Sequence, residues 1–267
     1  MEVDFLRDRC ILTPTNDCVE EVNSHIIAMI DGVTHEYLSA DRISPSTDSI
    51  HSQDIIYPTE YLNTIQLSGL PNYKLKLKVG VLVMLLRNIN HAEGLCNSTR
   101  MIVTHLAKRV IECEIIMDTH IGKRVLIPRI EMSSSKTMWP FILRRHQFPL
   151  KVCFAMTINK SQGQTLKNVG VYLPRPAFSH GQLYVAVSRA TSPEGLNFFI
   201  QNSNIEPSNF TENIVFHEVY NNLGNDNQLS FFIILKIAAT TYLLFTKCLN
   251  SLCFMSYSFI LLFDLPG

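Results

Sequence analysis

No Cys-x-x-Cys pair occurs in this chain. Its seven cysteines, an odd number, are scattered at positions 10, 18, 96, 113, 153, 248 and 253. That distribution excludes a disulfide framework and a zinc site built on paired thiolates, and reads as small core residues in a reducing compartment. The nine histidines are equally dispersed and lack His-Glu-x-x-His spacing, so no metal centre is expected. Net charge is absent too: 23 basic residues balance 23 acidic ones, so any contact with a polyanion must come from local patches. No segment has the Gly-x-x-x-x-Gly-Lys-Ser/Thr spacing of a phosphate-binding loop; Gly122-Lys123 and Gly163-Gln-Thr165 lack an upstream glycine at the right interval. No signal peptide precedes Asn97-Ser-Thr99 or Asn209-Phe-Thr211, so both glycosylation triplets read as chance.

What is present is a globular, rather apolar chain. Its 267 residues suffice for one or two domains, and 46% hydrophobic against 17% charged residues rule out disorder. From Phe154 the chain runs through Thr157-Ile-Asn-Lys-Ser-Gln-Gly-Gln-Thr-Leu166, then an apolar strand to Leu173, then Gly181-Gln-Leu-Tyr-Val-Ala-Val-Ser-Arg-Ala190. Two polar loops leaving apolar elements would bring Thr157, Lys160, Ser161, Gln162 and Gly163 close to Arg189 at one edge of a sheet. Ligands of open α/β sheets bind at the carboxyl ends of strands, and a lysine, hydroxyls and a glycine there suit a phosphate-bearing partner. An arginine on a short helix can neutralise a transferring phosphoryl group or merely balance a helix end.

Upstream, Ile11 to Thr13 reads as a strand end. A helix follows with Asp17 as cap, Glu20 three residues on, Val19, Val22 and Ile26 at helical spacing, and Gly32 as stop. Thr13, Thr15 and Asn16 then fall in the strand-to-helix loop. Residues 39–72 read as a surface excursion with little regular structure, apart from a short helix capped by Thr59. Leu75 to Leu86 reads as one or two strands. Lys74, Lys76 and Lys78 alternate onto one face, and Arg144, Arg145 and Lys151 form a second basic cluster; the first could equally be an ordinary solvated face. Met101–Leu106, Val110–Ile116 and Arg124–Ile130 read as short strands with turns between them, which suggests a small barrel. Val152–Met156, Val169–Leu173 and Leu196–Ile200 read as strands and Gly181–Ala190 as a helix, a β–loop–β–α–β order. Residues 229–263 carry only Lys236 and Lys247 as charges, with no Gly or Pro; each half is slightly short of a membrane span.

These signposts in this order resemble motifs of superfamily-one helicases, specifically the Pif-type (petite integration frequency) DNA helicases, including those of plant Helitron transposons. They are Ile11-Leu-Thr-Pro-Thr-Asn16, Tyr57-Pro-Thr-Glu-Tyr-Leu62, Leu77-Lys-Val-Gly80, Met84-Leu-Leu-Arg-Asn88, Gly94-Leu-Cys-Asn-Ser-Thr-Arg100, Ile127-Pro-Arg129, Arg144-Arg-His-Gln-Phe-Pro149 and the two loops above. The resemblance implies an α/β chain: a RecA-like second motor domain (1–95 and 151–223) with an inserted small β-barrel-like subdomain (96–150); it ends near Leu223, so the apolar C-terminal tail (224–267) reads as an appended segment. It implies Arg189 as the arginine finger, Gln162, Gly163 and Gln164 as nucleotide-binding, and Thr15, Asn16, Thr157, Lys160 and Ser161 as DNA-binding, with no metal ligand. ATP and magnesium are expected only in a complete motor, none bound by this chain alone. The partners implied are single-stranded DNA and the missing N-terminal RecA-like domain, with a membrane reachable only through 229–263. The nucleus is the expected location, with the mitochondrion as alternative. A non-catalytic nucleic-acid-binding remnant stands as the rival reading. The family favours glycine where this chain has Ser98, so a positive φ there would carry strain.

Overall fold

The computed structural model describes residues 3–44, 57–67, 69–134, 141–175 and 179–200. The apolar tail, 224–267, lies outside them. Two compact units share the chain: one gathers Ile27–Cys153 with the chain start up to Arg7, and the other joins Asp8–Ile26 to the chain from Phe154 onward. The strands between Ile27 and Cys153 thus fall in one unit. They all bond to antiparallel neighbours, not to the parallel sheet.

In the second unit, β1 (Arg9–Thr13), β12 (Ala155–Thr157), β13 (Asn168–Leu173) and β14 (Leu196–Ile200) form a sheet in the order β12-β1-β13-β14. All its pairings are parallel, with Thr13 opposite Thr157 and Cys10 opposite Val169. Near-continuous apolar strands suit this arrangement, because a parallel sheet is covered on both faces. Cys10, Leu12, Met156, Ile158, Val169, Val171 and Leu173 pack with Leu183 and Ala186 in one core cluster. Gly195 is fixed by crowding: a Cβ there would stand 1.8 Å from the Lys167 carbonyl oxygen.

Helix α2 (Asn16–Met29) follows β1. Val19, Val22 and Ile26 are buried as the 3.6-residue period requires. Its cap is Thr15, not Asp17: the Thr15 hydroxyl oxygen accepts from the Cys18 amide at 3.4 Å, leaving Asp17 in the first turn. Asn23, a polar residue on the buried face, accepts from the Ala155 N–H at 2.8 Å and donates to the Ala155 carbonyl at 3.1 Å. Its amide thus satisfies backbone groups of β12 that the sheet leaves unpaired on that side. Helix α4 (Gln182–Val187) begins after Gly181, whose φ is 70°.

In the first unit, after α1 (Val3–Arg7), a five-stranded antiparallel sheet runs β11-β5-β6-β7-β8. Its strands are Leu150–Val152, Leu82–Leu85, Arg100–Leu106, Val110–Ile115 and Arg124–Pro128 in that order. Ile111, Cys113 and Ile115 face inward, as the alternation predicts. Among the described residues the ladder is open, with β11 and β8 at its edges. A three-stranded sheet joins β3 (Ala40–Ser44), β10 (Ile142–Gln147) and β9 (Ile130–Ser133), and β2 (His35–Leu38) pairs with β4 (Lys74–Leu77). Helix α3 (Thr59–Thr64) contributes Leu62 to a cluster with Leu70, Met132, Phe141 and Leu143.

Several expectations need correcting. The stretch from 39 to 72 holds β3 as well as α3, and α3 is preceded by Pro58 with no side-chain cap, so Thr59 is the first helical residue. Val152–Met156 is not one strand: β11 ends at Val152 in the antiparallel sheet and β12 starts at Ala155 in the parallel one. Arg124–Ile130 is likewise broken at Arg129. That residue's Nη1 donates to the Leu38 carbonyl at 2.7 Å, and its guanidinium lies 4.8 Å from the centroid of Phe148.

Candidate nucleic-acid and nucleotide site

Three loops gather at the carboxyl ends of the parallel strands. The first, Pro14–Thr15, links β1 to α2. The second follows β12 as a single 3-10 turn, Ile158–Ser161, and continues through Gln164. The third leads from β13 into α4. Two contacts bind them together. The buried Gln182 amide reaches the Pro14 carbonyl at 3.5 Å, bringing the start of α4 beside the first loop. Arg189, just beyond α4, reaches the second loop.

Arg189 lies against its own scaffold. Its Nε donates to the Val185 carbonyl at 3.0 Å, Nη1 to the Gln164 carbonyl at 3.2 Å and more weakly to Ser161 at 3.5 Å, and Nη2 to the Ser188 hydroxyl at 2.9 Å. The backbone reinforces this, since the Leu166 N–H donates to the Arg189 carbonyl at 2.9 Å and the Thr191 N–H to the Leu166 carbonyl at 3.0 Å. Arg189 is thus brought against the 161–164 turn, through the backbone of Ser161 and Gln164. Ser188 was missed by sequence reasoning; its place directly before the arginine was the available signal. Gln164 Oε1 is buried and has no hydrogen-bond donor in range, so an acceptor stands open on the residue whose carbonyl holds Arg189.

The other candidates divide by exposure. Asn16, Gln162 and Gly163 are exposed, and Thr157, Lys160 and Gln164 half-buried. Gly163 has a φ of 85° and open space where a Cβ would stand, so backbone conformation rather than crowding selects glycine in this turn. Ser161 is fully buried, and its hydroxyl donates to the Ile158 carbonyl at 2.7 Å, which braces the turn. The Thr15 hydroxyl caps α2 and sits 3.1 Å from the Cys18 sulfur. Tyr184 is 66% exposed, because the inward face of α4 is taken by Leu183 and Ala186.

Neither basic cluster survives as drawn. Lys78 is buried, and its ammonium donates to the Ile30 carbonyl at 2.5 Å, while Lys74 pairs with Glu36 at 3.0 Å. Arg145 is fully buried and grips Asp41, with Nη2 at 2.6 Å and Nε at 3.0 Å, and donates also to the Pro71 and Leu62 carbonyls. Alternation along β10 sends Arg145 inward and its neighbour Arg144 outward.

Among the described residues no three His, Cys, Asp or Glu side chains are grouped to hold a metal, and no helix is long and apolar enough to cross a membrane. Burial pushes the Cys113 thiol up to about 12, with the Glu112 carboxylate adding. Burial also pushes the Cys153 thiol up to about 11, opposed by Arg100. Both remain neutral core groups at ordinary pH. The expected strain at Ser98 is present: with a φ of 73° it is the sole non-glycine in the left-handed region among the described residues.

Comparison with known proteins agrees with this architecture. Residues 60–106 match the family model described as DNA helicase Pif1, 2B domain. The chain is 33% identical over 192 residues to ATP-dependent DNA helicase PIF1 of Danio rerio, covering 67% of this chain and 25% of that protein. It is 35% identical over 129 residues to the Homo sapiens protein of the same name, covering 46% of this chain and 19% of that one. The crystal structure of the Pif1 helicase from Candida albicans superposes with a TM-score of 0.55 at 26% identity, covering 74% of this chain and 46% of that one. The chain spans about a quarter of the length of the curated relatives that it matches over two thirds of its own. In its sequence, in its 2B segment and in its fold, this chain is a relative of the Pif1-type DNA helicases.

Proposed function

We propose that this chain serves as the second motor lobe of a Pif1-type, ATP-dependent DNA helicase. The single observation that carries the reading is the convergence of three loops at one sheet edge, with Arg189 hydrogen-bonded to the 161–164 turn. A first motor lobe would hold ATP and its magnesium, and that nucleotide would supply the phosphoryl group. This chain's share is a cation and a polar turn. Arg189 exchanges the Gln164 and Ser161 carbonyls for phosphoryl oxygens, a charge-assisted contact stronger than a neutral one. Gln162, Gly163 and Gln164 feel that exchange directly, because the turn loses the guanidinium that closes it.

The same turn carries the DNA contacts. Lys160 and Thr157 take phosphates, and Asn16 and Thr15 extend the track from the neighbouring strand end. Ser161 acts through the turn it braces. Backbone contacts of this kind give affinity without sequence preference, as a stepping motor requires. Coupling follows from geometry, since the residues between the finger and the DNA contacts belong to one short loop. The β-rich unit acts as the inserted barrel-like subdomain that flanks the single strand. The nucleus is the place of action this substrate implies.

The test is made in a complete motor that includes this half. Arg189→Ala is expected to lower DNA-stimulated ATP turnover by about three orders of magnitude or more while leaving most of the DNA affinity. Normal turnover by both Arg189→Ala and Lys160→Ala would sink the assignment. A non-catalytic remnant shares the DNA contacts alone, so for it Arg189→Ala would change nothing measurable.

A further inference from the structure

We propose that the outward face of the β3-β10-β9 sheet is a second nucleic-acid contact, a row of arginines set across the strands that takes the phosphodiester backbone of a single strand. The register sets Arg144 directly opposite Arg42 on one side and Ser133 on the other. All three are exposed, whereas Leu143 and Arg145 on either side of Arg144 are buried. Arg87 extends the row, its Nη2 donating to the Ser133 carbonyl at 3.3 Å. Two residues along the same face, Ala40, His146 and Glu131 stand in register and are likewise exposed. Glu131 is the acid of this group; it pairs with Arg144 at 3.1 Å between side chains 50% and 48% exposed, a pair that contributes little and yields readily to a phosphate.

Like charges placed directly opposite across a sheet work against folding. Here they occur in a chain with a formal net charge of zero, so general basicity does not account for them. Neighbouring strands lie about 4.8 Å apart, which sets the guanidinium groups side by side. Each can grip a phosphate with two parallel N–H donors. Charge complementarity therefore selects a polyanion, and the row favours an extended backbone over a single anion. The choice of nucleic acid over an acidic protein rests on the motor reading above. The face itself is independent of it, for it belongs to the β-rich unit and shares no residue with the three loops.

The experiment titrates the full chain into fluorescein-labelled oligothymidylate by anisotropy at a series of KCl concentrations. Wild type is compared with the double variant Arg42→Gln/Arg144→Gln, with Arg42→Lys/Arg144→Lys, and with Lys160→Ala. The double glutamine variant is expected to bind about tenfold more weakly near 0.1 M salt and to lose about 1.4 from the slope of log affinity against log salt, whereas the lysine variant keeps most of that slope. Its melting temperature should hold or rise, since a repulsive pair has been removed. Unchanged affinity and slope would overturn the proposal, and so would lost binding accompanied by a lower melting temperature. Weaker binding by Lys160→Ala with none by the glutamine pair would reject this face and leave the loops standing. The reverse would support the face and reject the loops. Retained DNA affinity with lost retention on heparin would assign the row to an acidic partner instead.

Discussion

The two compact units use arginine in opposite ways. In the parallel-sheet unit Arg189 lies at the surface edge of a loop cluster, held by carbonyls and a hydroxyl that a stronger anion can replace. In the β-rich unit Arg145 is fully buried and bound to Asp41 and two carbonyls, with no solvent path to anything else. Both were candidates for phosphate contacts by residue type. The difference teaches that a guanidinium is available for chemistry when its partners are neutral acceptors at a strand end. Locked beneath a sheet on a carboxylate, it serves the fold.

The sharpest way to break that contrast is to remove each arginine in turn. Arg189→Ala should lower ATP turnover in a complete motor by about three orders of magnitude or more, yet leave the unfolding midpoint of this chain nearly unchanged. Arg145→Ala should do the converse, costing about 3–5 kcal/mol of stability in chemical denaturation because Asp41 is left buried without its cation. An equal stability loss from both would erase the distinction.

Alkaline titration probes the interior of the β-rich unit, where both raised thiols lie. Unfolded thiols ionise near the ordinary value of 9.0, while folded Cys113 and Cys153 hold their protons to about 12 and 11. Above pH 9 the native state therefore binds more protons than the unfolded one, and stability falls with rising pH until the folded thiols themselves ionise. The slope is about 1.4 kcal/mol per pH unit for each thiol, and Cys113→Ala should flatten it in pH-dependent urea midpoints. Lys160→Ala is a smaller effect, a loss of about 0.7 from the salt slope of single-stranded DNA binding. Smallest is Ser98→Gly, expected to raise stability by up to about 1 kcal/mol in thermal melts by relieving a φ of 73°.

The elements of the parallel unit were legible because short apolar runs there are bounded by polar punctuation. Leu196–Ile200 comes out as predicted, β13 begins one residue earlier, at Asn168, and the loops meet where strand ends require. Ser98 was legible as a strained position because glycine is the residue its backbone asks for. The misses share another cause. Apolar continuity from Val152 to Met156 conceals a change of sheet, and adjacency of Arg144 and Arg145 conceals opposite directions. Lys78 looks like the third member of an exposed row, but its strand ends at Leu77 and the alternation ends with it. The pairing of Arg42 with Arg144 could not be read at all, since it depends on the register of strands far apart in sequence.

The parallel sheet also dictates an order of assembly. Cys10 and Phe154 touch across a separation of 144 positions, and the strands paired with β1 begin only at Ala155. β1, made before the antiparallel unit, thus waits for that whole unit to be synthesised before it finds these neighbours. With so many distant contacts the sheet should form late and slowly, and until it does Ile11, Leu12 and the Asn23 amide remain uncovered on the nascent chain.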